Sequence, residues 1–286
     1  MTDDDAAVRS AGLAEAYRRS WSLGADGPQR EHDGVLSQPV RTDAGESAEL
    51  RISPPRPGNE HEHLALRLWG GRGAVRLLRA EPADRALLLE RTGERDLRTL
   101  PGLESCRVLG ELTRTLDRPP RPPFRRLSEL ARQWQADLEQ DAGLDARFPR
   151  RFRLQAAKNL GRLRREELDL GLVHRDLHQG AVRAAERVPW LAAGADPVLG
   201  TPEFALVPGL WDGTGETAHG AALAAALEDR MEALALAADA DPGRLRAWAL
   251  VRLAVAARHE DPRRGGAPGG RTGRLVQLCK ALQQGA

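Results

Sequence analysis

The residues best suited to chemistry lie in one short stretch of the chain, positions 172–200. An apolar run ends in His-Arg-Asp-Leu-His at 174–178, and a second apolar run follows at 188–193 before a turn that contains Pro and Gly. This order is typical of a phosphoryl-transfer site, in which one carboxylate accepts the proton of the attacking hydroxyl while an Asn and a second Asp hold magnesium on the nucleotide phosphates. Asp176 is suited to the first of these roles.

The same stretch resembles the catalytic region of the aminoglycoside/hydroxyurea antibiotic resistance kinases, the streptomycin phosphotransferase-like branch of the kinase-like fold. That family usually has H-G-D-L-H-x-x-N, P-W-L-A-I-D-P and G-D-P, where this chain has H-R-D-L-H-Q-G-A, P-W-L-A-A-G-A-D-P and G-T-P. Residues 66–78 and 241–252 are also similar, and the resemblance extends from about Trp21 to His259. It implies ATP and magnesium as cofactors, Asp176 as the catalytic base, and a nucleotide or a small hydroxylated molecule as the partner.

Several positions at which the family has functional groups are substituted. Arg51, in A-E-L-R-I-S, replaces the lysine that pairs with the phosphates, and Glu62 is its candidate partner on the helix that follows. Arginine keeps the charge but replaces a compact ammonium with a wide planar fork, which does not fit the same slot. Ala181 stands at the Asn position. Thr201 and Ala205 replace two further Asp residues, the second of which braces the catalytic loop in the family.

The second magnesium ligand of the family has two candidate positions in this chain. Without gaps the alignment places it at Gly194, which has no side chain, whereas an insertion and a deletion place it at Asp196. In a strand, residues two apart face the same side but lie roughly 6.5 Å apart, and a magnesium ligand must reach the ion at about 2.1 Å. We therefore expect the Asp196 side chain to face the magnesium site but to lie too far along the chain to reach the ion.

These substitutions leave three functions open. The first is a divergent kinase-fold protein with impaired transfer that binds a nucleotide or a small molecule, because phosphoryl transfer depends on the cations that hold the phosphates. The second is an active ATP-dependent phosphotransferase that acts on an alcohol group of an aminoglycoside-like antibiotic or a secondary metabolite. The third is a helical interaction scaffold without a ligand. In the first two, Glu90 and Arg91 join Arg51 and Glu62 as the expected nucleotide-binding residues.

Strand and helix patterns indicate an α+β architecture. An N-terminal helix is expected to pack Leu13, Tyr17 and Trp21 on the lobe that follows. Strand patterns are confined to the first third, at 47–53, 73–80 and 85–90, apart from the short strands of the catalytic region. Helical periodicity follows at 106–116, 127–141, 152–168, 218–238, 242–259 and 273–284, with a linker at 261–271. The resemblance implies a two-lobe kinase-like fold, with a small antiparallel-sheet lobe at 1–92 and a larger, mostly helical lobe at 93–286 that includes the catalytic-loop region 172–202.

Composition and charge argue against several other classes of protein. The 43 basic and 41 acidic residues give a net charge of +2, so no bulk field attracts nucleic acid or a membrane. The first ten residues are acidic and polar, unlike a signal peptide, and no apolar run approaches the ~18 residues that a membrane span needs. Cys106 and Cys279 are too few and too isolated for a disulfide framework. We therefore expect a cytoplasmic protein with two reduced thiols.

The histidines near the candidate site are expected to be structural. His61 and His63 flank a Glu at the start of a helix, where adjacent residues do not face one another, so they are not expected to form a metal cluster. His174 and His178 are expected to shape the catalytic loop through ring hydrogen bonds. Gln179 lies two residues before the Asn position and is expected to face elsewhere.

Overall fold

The computed structural model describes residues 3–56, 58–140, 144–145, 148–212, 218–259 and 271–284. The chain forms two compact units, the first from Met1–Asp96 with Ala181–Pro197 and the second from Leu97–Gly180 with Val198–Ala286. The expected lobe boundary near Thr92 lies close to the end of the first segment. Residues 181–197, which we expected in the second lobe, cluster with the first unit, and the exact domain limits remain a proposal.

The strands are β1 (Gly24–Ala25), β2 (Arg30–His32), β3 (Val35–Arg41), β4 (Ser47–Ile52), β5 (Leu77–Glu81), β6 (Ala86–Glu90), β7 (Gly171–His174), β8 (Val182–Ala184), β9 (Trp190–Ala192) and β10 (Pro197–Gly200). In the first unit the main sheet has the order β1-β3-β4-β6-β5, with β2 also paired to β3. Each of these pairs is antiparallel. β8 and β9 form a separate antiparallel pair, and β7 pairs with β10.

The helices are α1 (Asp3–Ser20), α2 (Glu62–Trp69), α3 (Gly102–Leu116), α4 (Leu127–Gln140), α5 (Arg150–Leu163), α6 (Pro202–Trp211), α7 (Gly220–Ala238), α8 (Pro242–His259) and α9 (Arg271–Gln284). The first two belong to the first unit and the others to the second. This is the α+β architecture that the sequence predicts. Within the described ranges, no helix is long and apolar enough to cross a membrane.

The alternation of β4 determines which of its side chains face the core. Ala48, Leu50 and Ile52 are buried, and Arg51 therefore points to the opposite face because successive side chains of a strand alternate. The core beneath β4 includes Trp21 of the segment after α1, with Leu13 and Tyr17 packed against it. The predicted packing of the N-terminal helix is confirmed.

The helices of the second unit differ from the prediction in some limits and in one element. α3 begins four residues earlier than predicted, and α5 ends at Leu163 rather than Leu168. Every residue of α6 from Glu203 to Leu210 is buried. The helix therefore has no polar face, and its sequence lacks the alternation of apolar and polar residues by which a helix is predicted. Its first turn is capped by Thr201, whose side chain accepts from the Phe204 N–H at 3.4 Å. The predicted linker at 261–271 lies, except for its last residue, outside the described residues.

Candidate functional site

Asp176 follows β7 on a loop that is held by hydrogen bonds. β7 is buried along its whole length, and the Asp176 backbone N–H donates to His174 Nδ1 at 3.2 Å. The Asp176 side chain is 56% exposed, so its carboxylate is accessible to a hydroxyl group. Arg252 of α8 donates to the Arg175 carbonyl at 2.8 Å, and one of its nitrogens lies 3.9 Å from the Asp176 carboxylate. A cation that the sequence did not predict therefore stands beside the candidate base.

Asp212, directly after α6, anchors the second half of this loop. Its carboxylate accepts from the Gly180 backbone N–H at 3.0 Å, lies 3.0 Å from His178 Nδ1, and accepts from Arg98 Nε–H at 3.0 Å. Burial alone would raise the pKa of Asp212, but the hydrogen bonds from His178, Gly180 and Arg98 outweigh it and hold this pKa well below its usual range. The carboxylate is consequently ionised at neutral pH, which strengthens each of these hydrogen bonds.

The buried side chain of Arg230 stabilises the end of α6. Arg230 of α7 donates to the carbonyls of Leu210 at 2.8 Å, Gly209 at 2.7 Å and Asp212 at 2.6 Å. The Gln179 side chain is buried and donates to the same Gly209 carbonyl at 3.0 Å. Gln179 therefore faces the end of α6, as expected, and does not take the place of the Asn.

Arg51 and Glu62 form the predicted ion pair in the first unit. Arg51 Nη2 hydrogen bonds to Glu62 Oε1, and the two side chains are only 13% and 10% exposed. Arg51 Nη1 also donates to the Ala193 carbonyl at 3.0 Å. The Ala195 backbone N–H donates to the same Glu62 oxygen at 3.0 Å. The pair is therefore attached to the backbone on both sides of position 194.

Gly194 lies against the guanidinium of this ion pair. A Cβ atom at Gly194 would be 2.7 Å from Arg51 Nη1 and 3.1 Å from Glu62 Oε1, closer than ordinary van der Waals contact allows. The φ angle of Gly194 is not in the left-handed region, so its backbone conformation does not require glycine. The Arg51 guanidinium, rather than backbone strain, crowds this position, and it would have to shift to admit a side chain.

Residues 20–262 match the family described as aminoglycoside/hydroxyurea antibiotic resistance kinase. The chain belongs to this family. It is 32% identical over 268 residues to streptomycin 6-kinase from Streptomyces griseus, with 85% of this chain and 87% of the relative covered. It is 33% identical over 254 residues to hydroxyurea phosphotransferase from Kitasatospora aureofaciens, with 85% of this chain and 70% of the relative covered. The predicted family membership is confirmed.

Solved structures show that the fold is that of the kinase-like phosphotransferases. Choline kinase LicA from Streptococcus pneumoniae aligns with a TM-score of 0.59 at 12% identity, over 96% of this chain and 98% of that one. AMP-bound spectinomycin phosphotransferase aligns with a TM-score of 0.56 at 12% identity, over 95% of this chain and 98% of that one. The predicted kinase-like fold is confirmed.

The residues at the aligned magnesium positions do not fit the ligand set that the resemblance implies. Ala181 offers only a methyl group, and at Gly194 the Arg51 guanidinium takes the space that a ligand side chain would need. Within the part of the chain that the structure describes, no three His, Cys, Asp or Glu side chains are grouped so that they could hold a metal. His61 and His63 accordingly take part in no such group.

Asp196 lies on a segment whose conformation we predicted wrongly. Residues 193–196 come after the end of β9 and before the start of β10 and do not form a strand, so the strand spacing used to judge the height of Asp196 does not apply. In this segment the Ala193 carbonyl accepts a hydrogen bond from Arg51, and the Ala195 N–H donates one to Glu62. That Asp196 falls short of a magnesium ion stays a prediction.

The side chains of Glu90 and Arg91 are engaged in ion pairs of the first unit. Arg187 Nε–H donates to Glu90 Oε1 at 2.6 Å, and Arg91 Nη1 donates to Asp26 Oδ2 at 2.6 Å. Their hydrogen-bonding groups are therefore directed to the protein. The assignment of this segment to nucleotide binding remains a prediction, and it concerns the backbone groups of Glu90 and Arg91.

Sequence reasoning missed the residues that hold the catalytic loop. In the family an Asp at the position of Ala205 braces this loop, whereas Ala205 of this chain is buried and Asp212 supplies the carboxylate. The sequence offers only a weak indication of this role, because Asp212 is simply the first charged residue after the apolar run at 204–211. Arg98 and Arg230 gave no comparable signal, because this chain is rich in arginine throughout.

Proposed function

We propose that this chain is a divergent family member that binds a nucleotide or a small hydroxylated molecule and in which phosphoryl transfer is impaired. The observation that supports the impairment is the position of the Arg51 guanidinium against Gly194. Phosphoryl transfer depends on cations placed around the transferred group, and a hydroxyl activated by Asp176 needs an electrophile held in front of it. Without the family's metal ligands, Asp176 is a base without a positioned phosphate.

Retained binding is supported by the parts of the site that remain in place. Arg51 keeps a positive charge and its ion pair with Glu62, and ATP is the nucleotide that family membership implies. The loop around Asp176 keeps its hydrogen bonds, because Asp212 holds His178 and Gly180. The free thiols Cys106 and Cys279 suit a reducing compartment, and we place the protein in the cytoplasm on that ground.

A second candidate function is an active ATP-dependent phosphotransferase with an alcohol group as acceptor. The exposed Asp176 carboxylate, on a loop anchored by Asp212, favours it. Two relatives are a streptomycin 6-kinase and a hydroxyurea phosphotransferase, so the acceptor would be an aminoglycoside-like antibiotic, hydroxyurea or a related secondary metabolite. The role would then be antibiotic resistance or a step in secondary metabolism.

Thermal unfolding with ATP, and ADP release with streptomycin or hydroxyurea as acceptor, distinguish the two candidates. We expect ATP to raise the melting temperature, because a ligand that binds only the folded state stabilises it. We expect ADP release no faster than that of the Asp176→Asn variant. Magnesium-dependent release that this variant loses would establish the active enzyme. A melting temperature unchanged by ATP, ADP, streptomycin and hydroxyurea would contradict the proposed binding.

A further inference from the structure

We infer that the Arg51 guanidinium has taken the place of the divalent cation in this chain, so that it binds nucleoside triphosphate without magnesium, and that Arg51 and Gly194 depend on each other. The metal independence rests on the proposed nucleotide binding. The dependence of the two residues rests on the geometry of the first unit alone and can be tested without a ligand.

The position of the Arg51 guanidinium is fixed by two hydrogen bonds to different segments of the first unit. β4 presents Arg51 on the face opposite the buried Leu50 and Ile52. Its Nη1 donates to the Ala193 carbonyl at 3.0 Å, and its Nη2 hydrogen bonds to Glu62 Oε1. These bonds join the strand, α2 and the segment next to Gly194, so the guanidinium cannot rotate away without breaking them.

Glu62 is held in the same way. Its Oε1 accepts from Arg51 Nη2 and from the Ala195 backbone N–H at 3.0 Å. The pair is nearly buried, with 13% and 10% of the two side chains exposed, and loss of one partner would leave a charge with poor solvation. The arrangement is therefore a fixed part of the first unit and not one of several surface conformations.

The guanidinium leaves no room for a carboxylate at position 194 that is free to bind a metal. A Cβ there would lie 2.7 Å from Arg51 Nη1, 3.1 Å from Glu62 Oε1 and 3.3 Å from Arg51 Nη2. An Asp introduced at 194 would have to displace Arg51 or pair with it, and a carboxylate paired with a guanidinium is not available to a metal. Lysine has a compact ammonium on a narrower stem, so it leaves room for the side chain that arginine excludes.

The same geometry places the Arg51 guanidinium in the space that a carboxylate side chain of residue 194 would need. A lysine at position 51 in the family carries the same charge, so the difference lies in the ligands. Ala181 and Gly194 offer no oxygen-bearing side chain to a divalent cation, and the guanidinium takes the space beside Gly194. Arg51 supplies part of the cationic field instead. A nucleoside triphosphate would therefore bind to this chain without an accompanying magnesium ion.

Four full-length proteins test the inference: the wild type, Arg51→Lys, Gly194→Asp and Arg51→Lys/Gly194→Asp. ATP affinity is measured by titration calorimetry in EDTA and in excess MgCl2, and melting temperature is measured without ligand. The wild-type Kd should agree within about twofold between the two conditions, and the double variant should bind ATP about tenfold more tightly with magnesium. Gly194→Asp alone should melt at a lower temperature than the wild type, and adding Arg51→Lys should restore part of the loss.

A matched control separates the crowding at position 194 from the general effect of an added Asp. Gly273→Asp introduces the same side chain in the first turn of α9, where a Cβ meets nothing within 4 Å, and a carboxylate near a helix N-terminus is tolerated. Its melting temperature should stay close to that of the wild type.

The possible results test different parts of the inference. A wild-type Kd that tightens about tenfold with magnesium would overturn metal independence and leave the proposed nucleotide binding intact. No ATP binding in either buffer would contradict the proposed function. The melting temperatures would still test whether Arg51 and Gly194 depend on each other. Equal melting temperatures for Gly194→Asp and the double variant would overturn the dependence of Arg51 and Gly194.

Discussion

At the scale of single residues, Asp212 holds the loop that carries Asp176 at two points, His178 and Gly180. It is 18% exposed and accepts hydrogen bonds from a backbone amide, a histidine and an arginine. A carboxylate with several charged or polar donors stabilises a fold only while it is ionised. The contribution of Asp212 to stability must therefore depend on pH.

Asp212→Asn should make the protein less stable at pH 7 and less sensitive to acid. The folded-state pKa of Asp212 is lowered below the ordinary value of 3.8, so its contribution is fully present above that value and is lost as the pH falls toward the folded-state pKa. At pH 7 we expect a loss of about 1–3 kcal/mol in the free energy of unfolding, because an Asn amide cannot satisfy the same donors. Urea unfolding at pH 7 and at several values below 4 measures both effects.

The control for this experiment is Asp229→Asn, on an exposed position of α7. It should leave the free energy of unfolding within about 0.5 kcal/mol of the wild type. If Asp212→Asn and the wild type lost stability equally between pH 4 and pH 2.5, Asp212 would not contribute in the manner described.

At the scale of elements, α3 and α7 approach each other closely at Gly110. A Cβ at Gly110 of α3 would lie 2.6 Å from Ala237 Cβ and 2.8 Å from the Leu234 carbonyl oxygen. The backbone and a methyl group of α7 cannot move aside as the end of a long side chain can. Gly110 is therefore required by the approach of the two helices, although glycine costs about 1 kcal/mol relative to alanine inside a helix.

Gly110→Ala should destabilise the protein by about 1–3 kcal/mol, the usual cost of an overpacked core. Gly161→Ala, in α5, is the matched substitution: the nearest atom to its Cβ is Gln135 Oε1 at 3.7 Å, an ordinary contact. This change should stabilise the protein by up to about 1 kcal/mol through helix propensity. Guanidinium unfolding of the two variants measures the difference, and effects of the same sign would contradict the packing argument.

At the scale of the whole molecule, the chain forms two units from four segments, and both cysteines belong to the second. Burial raises the pKa of Cys106 and raises the pKa of Cys279 to about 12. The thiolate is the reactive form of cysteine. Both thiols should therefore report the unfolding of the second unit.

In native buffer at pH 8, neither Cys106 nor Cys279 should react with a thiol reagent on the timescale of a free cysteine. Both should react once the chain is unfolded in denaturant, because exposure returns their pKa values to the ordinary range. The measurement is the rate of labelling against denaturant concentration, with each Cys→Ala variant used to assign the signal. Rapid native labelling of either residue would show that its helix opens without unfolding of the unit.

The sequence by itself determined the parts of this protein that are encoded locally. Amphipathic periodicity indicated α4 and α5 because each has one buried stripe, and the strand pattern of β4 followed from alternation of Ala48, Leu50 and Ile52. The catalytic-loop motif placed Asp176 after a buried strand. The resemblance paired Arg51 with Glu62 because the family's site brings the lysine position and its helix carboxylate together.

Only the tertiary structure decided which residues complete these motifs. α6 has no polar face, so its periodicity could not be recognised, and Asp212 reaches the loop from a position 34 residues beyond His178. Arg51 meets the Ala193 carbonyl across 142 positions. Contacts of this kind depend on where separate elements pack, and no local pattern of residues records that placement. Gly194 is an example. In the sequence it is a position that lacks a metal ligand, whereas in the structure its lack of a side chain leaves room for the Arg51 guanidinium.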